Sequence, residues 1–162
     1  MLGFNNVPAR KSKREGVLRH TVSGESSGAF EDISTAIAEL TESLTSVVGR
    51  SRAAAPGEME VWPLYALAEK TVAKMKLRLG VERPGVLSEI PRSKVPSEFL
   101  EAALKSLRAA GSQVSEGELV VALESLRSAR TFLRAYLAEL ARVRSRQARM
   151  AARSSRSSSP SS

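Results

Sequence analysis

Apolar side chains recur through the middle of the chain at steps of three and four, the period of helices that bury one face. Phe30, Ile33, Ile37, Leu40, Leu44 and Val47 step by 3, 4, 3, 4 and 3, which predicts a helix over 29–49 with an a/d seam and Gly49 as its stop. Ser and Thr fill much of its remaining surface. As weak helix formers they make this helix dependent on a partner surface. Residues 50–60, RSRAAAPGEME, read as a linker with a Pro-Gly turn. Pro63 suits the first position of a second helix over 63–79, in which Tyr65, Ala68, Val72, Met75 and Leu79 repeat until Gly80 ends it. Trp62, just before it, reads as a core or staple residue, with base stacking as the sharper alternative.

Prolines at 84, 91 and 96 make 81–96 a long connector with at most one short helical turn. A third helix is expected over 97–110, with Phe99, Leu100, Ala103, Leu104 and Leu107 on one face and Gly111 as its stop. Ser115 and Glu118 then spell a capping box, with Val114 and Leu119 placed as its hydrophobic staple, so a fourth helix is expected over 115–150. From Glu116 to Met150 it would be about 52 Å long, so its distal part should project from the bundle or pack on another chain.

The pattern divides the chain into a flexible basic arm (1–28), a helical bundle (29–140), a basic helical extension (141–153) and a disordered Ser-rich tail (154–162). The fold class is all-α, a small bundle of about four helices with a long last helix. A length of 162 residues suffices for one core without staples. With no cysteine there is no disulfide framework, thiolate metal site or cysteine nucleophile. No apolar run is long enough to span a membrane, and the first ten residues lack the apolar segment of a secretory signal, so a cytoplasmic protein is expected.

Charge changes the picture more by position than by its total of +8. Residues 1–24 set five basic side chains against Glu15, residues 25–126 carry more acids than bases, and residues 127–162 set nine arginines against Glu139 alone. A mildly acidic body is flanked by cationic ends. Arg142, Arg146, Arg149 and Arg153 step by 4, 3 and 4 and share about 60° of helix arc, with Arg127, Arg130 and Arg134 as a second stripe. Guanidinium forks in such a ladder match phosphate oxygens and release condensed counterions. Lys70, Lys74 and Arg78 form a shorter row on the second helix, and Lys11, Lys13 and Arg14 lie in the arm. The ordinary reading of any such row is a solvated face, but a solvated face mixes signs, and the last helix hardly does.

Catalytic chemistry finds little support. His20, the only histidine, lies in the arm, which leaves no Ser-His-Asp triad and no His-based metal site. SGESSGAF lacks the Gly-Lys-Ser/Thr of a P-loop. A helix-turn-helix reading fails because the would-be recognition helix presents Glu116, Glu118 and Glu124. Val143 and Met150 are too few large apolar groups for the extension to lie in a membrane surface. The expectation is a non-enzymatic nucleic-acid-binding protein without cofactor or metal, contacting DNA or RNA phosphates through its C-terminal arginine-rich helix. The alternative is a helical subunit or scaffold of a larger protein or nucleoprotein assembly, its seams closing on a second copy or another helical protein.

Overall fold

In the computed structural model, which describes residues 30–51, 53–81 and 95–158, the first apolar seam is helical over 30–50. In this helix, α1, Ile33, Ile37, Leu40, Leu44 and Val47 are buried and Phe30 packs at the edge of the core. Its threonine hydroxyls are absorbed locally: Thr41 Oγ1 donates to the Ile37 carbonyl at 2.7 Å and Thr45 Oγ1 to the Thr41 carbonyl at 2.6 Å. Gly49 lies within the helix rather than ending it, and it is not one of the glycines with positive φ.

Helix α2 spans Glu58–Leu79. It starts five residues before the proline that the sequence suggests as its first residue, and the correction has a local cause. The Glu60 carboxylate reaches back to accept from the Gly57 backbone N–H at 3.2 Å, which fixes the helix start there. The apolar period also extends backward, through buried Val61 and Leu64. Pro63 therefore sits inside the helix, on its exposed side. Gly80 does end α2, at φ 64°, with the Gly80 and Val81 N–H groups donating to the Leu77 and Lys76 carbonyls in a Schellman arrangement.

Helix α3 spans Ser97–Ser115 and runs through Gly111, the residue expected to stop it. Apolar positions continue past that glycine, with Ala110 buried and Val114 packed on the core. The turn comes at Gly117, whose φ of 79° suits a residue without Cβ. Gly117 N–H donates to the Val114 carbonyl at 3.1 Å and Glu118 N–H to the Gln113 carbonyl at 2.8 Å, a second Schellman motif. The expected Ser115/Glu118 capping box is accordingly absent. Ser115 is the last residue of α3, and its hydroxyl donates back to the Gly111 carbonyl.

Helix α4 spans Leu119–Ser157, 39 residues without Gly or Pro, about 58 Å long. It runs through 154–157, where the Ser-rich composition predicts a disordered tail.

α2 and α3 both pack along α4, and no Cα of α2 comes within 8 Å of one in α3. The short turn makes α3 and α4 antiparallel. α1 and α2 are antiparallel as well, because Asp32 at the start of one pairs with Arg78 near the end of the other, and Arg50 pairs with Glu60. The start of α2 lies beside the 136–144 region of α4, where Tyr136 Oη donates to the Pro56 carbonyl at 2.6 Å and Arg144 pairs with Glu58. Residues 141–158 are exposed on every side, so α2 must run back along the proximal part of α4, antiparallel to it. The four helices share one core centred on Leu40, Leu44, Val61, Met75, Leu100, Leu107, Leu126, Leu133 and Tyr136. The connector suggested for 81–96 and the arm at 1–28 fall largely or wholly outside the described residues.

Candidate nucleic-acid interface on the projecting helix

Burial on α4 ends with Leu140, which packs at the edge of the core, and every residue from 141 to 158 is exposed. Beyond Arg144 the last turns of α4 therefore stand clear of the bundle for about 20 Å. Nothing apolar holds this segment. Its helicity rests on local propensity, with Ala and Arg as strong formers, and on continuity with the anchored part of α4.

On this segment Arg142, Arg146, Arg149 and Arg153 share one face, and Arg156, which lies in the stretch expected to be disordered, extends the row by one step. The five side chains fall within about 80° of arc and rise over about 21 Å. Arg142 does not stand apart from acid, since its guanidinium lies 3.2 Å from the Glu139 carboxylate. Arg146, Arg149, Arg153 and Arg156 have no acidic partner among the described residues. Arg144 points to the opposite side, where it pairs with Glu58 at the start of α2 and ties the root of the projection to the bundle. That hydrogen bond and the neighbouring charge hold the Arg144 guanidinium protonated even more firmly than usual.

The other candidate cations are distributed differently. Arg127, only 13% exposed, pairs with Glu124 at 3.3 Å. Arg130 is half-buried and Arg134 exposed, and this stripe lies about a quarter-turn round from the distal ladder. The row on α2 is not a free cationic surface. Arg78 clasps both Asp32 carboxylate oxygens, at 2.5 and 2.9 Å, and Lys74 stands 3.7 Å from the same group, so that of this row only Lys70 has no acidic partner among the described residues. These contacts hold the Asp32 carboxyl below its ordinary range, the Arg78 hydrogen bonds being the main cause. Lys11, Lys13 and Arg14 lie outside the described residues. Trp62 is not a core residue: it is 50% exposed on the outer side of α2 and meets the Tyr65 ring edge-on, with centroids 5.5 Å apart.

Among the described residues no cluster of acidic, histidine or cysteine side chains is arranged to hold a metal ion, and no helix is long and apolar enough to cross a membrane. The arrangement offers instead a row of planar, permanently charged donors on one face of a helix, suited to successive anionic oxygens on an extended partner. Comparison with protein-family models, curated proteins and solved structures finds no match.

Proposed function

We propose that this protein binds nucleic acid through the phosphate backbone, using the arginine ladder of the α4 projection. The observation that carries the reading is the combination of four acid-free guanidinium groups on one narrow face with complete exposure of the helix bearing them. A helix end that served only to close the bundle would bury an apolar face, and 141–158 buries none. Contacts of this kind position a protein without reading bases, so little sequence preference is expected. An anionic membrane surface fits less well, because Val143 and Met150 are the only large apolar groups exposed on the projection.

The test is fluorescence anisotropy with several unrelated labelled DNA and RNA oligonucleotides at low salt. A variant with Arg146, Arg149, Arg153 and Arg156 all changed to Gln keeps the helix propensity nearly constant while removing the charge. It should lose affinity by a similar factor for every sequence. Lys105→Gln, at an exposed position on α3 away from the ladder, should change little. Equal binding by wild type and the ladder variant would remove the proposal. A second reading, a subunit that assembles through its helices, is favoured by one separate observation, the exposed apolar face of α2.

A further inference from the structure

We infer that α2 carries a self-association surface and that two copies of this chain pair through it, antiparallel, about a two-fold axis. Met59, Trp62, Ala66, Lys70, Ala73 and Leu77 step by 3, 4, 4, 3 and 4 along α2. That spacing forms a second stripe, on the side away from the buried seam of Val61, Leu64, Ala68, Val72 and Met75. Met59 is 87% exposed and Leu77 83%, and Ala66 and Ala73 are exposed between them. Single exposed apolar residues need no explanation, but a helix-long row with a half-exposed tryptophan has the character of an interface core.

Two features select a second copy as the occupant and fix its direction. The first is charge. α2 opens with Glu58 and Glu60, paired within the chain to Arg144 and Arg50, while in its C-terminal half Lys70 and Lys76 have no acidic partner among the described residues and Lys74 and Arg78 share the single carboxylate of Asp32. Antiparallel copies set the acidic turn of each against the basic end of the other, twice over, and oppose the helix dipoles favourably. Glu58 and Lys76 lie on the same flank of the stripe and so face each other across the axis. The second feature is size. In the register that places Met59 on Leu77 of the other copy, Trp62 falls over Ala73 and the stem of Lys74, and Ala66 leaves room for Lys70. A parallel pair would instead stack tryptophan on tryptophan and lysine on lysine, with like charges meeting at both ends. Because α4 runs antiparallel to α2, the antiparallel dimer sends its two arginine-bearing projections out at opposite ends.

The absence of cysteine makes the geometry testable by placed thiols. Met59→Cys and Leu77→Cys would be made separately in the full chain, stripped of nucleic acid in high salt, and treated with a short bis-maleimide. An equimolar mixture should yield a cross-linked dimer joining the two variants, and neither variant alone should cross-link efficiently. Sedimentation of the wild type should show a concentration-dependent dimer. Leu77→Lys, at an exposed position, should shift it to monomer by at least tenfold in Kd while leaving the helical circular dichroism unchanged. A wild-type chain that stays monomeric at high micromolar concentration overturns the inference. So does cross-linking within the single variants, or a dimer indifferent to Leu77→Lys. None of these readouts depends on nucleic-acid binding.

Discussion

Two side chains fasten the helices by interactions whose worth is open to measurement. The Tyr136 hydroxyl, inside the core of α4, donates to the Pro56 carbonyl and so holds the loop before α2 against the long helix. Tyr136→Phe should cost about 1–2 kcal/mol, because it leaves a buried carbonyl without its donor. Burial, with Glu60 nearby, raises the Tyr136 pKa above 10.0. The neutral phenol is thus favoured in the folded state, and its contribution is complete below pH 10 and lost as pH rises through the folded value. Denaturant midpoints should fall at alkaline pH in wild type, with a shallower fall in the phenylalanine variant. Asp32 behaves in the opposite sense. Its pKa is lowered below 3.8, so its contribution is present above that pH and lost only as pH falls through the lower folded value. Asp32→Asn should flatten the acid limb of the stability profile and, being an exposed pair, change neutral stability only slightly. Neither interaction is legible in the sequence. One runs to a backbone carbonyl eighty residues away, and the other turns two of the three cations of a suspected binding row into a clasp between helices.

At the scale of elements, helix existence is legible and helix ends are not. The apolar seams of α1 and α3 appear in the structure as their spacing suggests, because a stripe that repeats over several turns has only one way to be buried. The boundaries fail where a single residue is given a fixed meaning. Gly111 looks like a stop, but the stop requires a left-handed residue, and Gly117 supplies it. Pro63 looks like a first residue, but the carboxylate of Glu60 has already started the helix. The two glycines give a paired test by thermal or chemical denaturation. Gly117→Ala forces a Cβ into the left-handed region and should destabilise by about 1 kcal/mol, with no clash involved, since nothing lies within 4 Å. Gly111→Ala places its methyl 3.6 Å from Ile37 Cγ2, an ordinary van der Waals distance, and should be neutral or stabilising by up to about 1 kcal/mol through helix propensity. The reverse order would mean that α3 ends at Gly111 in solution.

For the whole molecule, an anchored bundle and a free charged rod are built on one continuous helix. The core fixes the proximal part of α4 through Leu123, Leu126, Leu133 and Tyr136, and the Arg144–Glu58 pair ties the root of the rest to the start of α2. The ladder is legible because arginine spacing on an uninterrupted helix is a geometric fact of the sequence. Its fifth member is hidden by the Ser-rich composition after Arg153, which suggests disorder, whereas α4 continues to Ser157. Partition of the remaining cations between structure and surface depends on which acid each one meets, and that is set only by the packing of the helices. The central claim is that the distal ladder makes the phosphate contacts, and the salt dependence of binding tests it most directly. For wild type, log K against log salt should fall with a slope of about −0.9 per phosphate neutralised on duplex DNA, or about −0.7 on a single strand. The variant with Arg146, Arg149, Arg153 and Arg156 changed to Gln should show a shallower slope, by up to about 0.9 for each phosphate that it no longer neutralises. Absence of binding by the wild type at low salt, or an identical slope in the two proteins, would contradict the account.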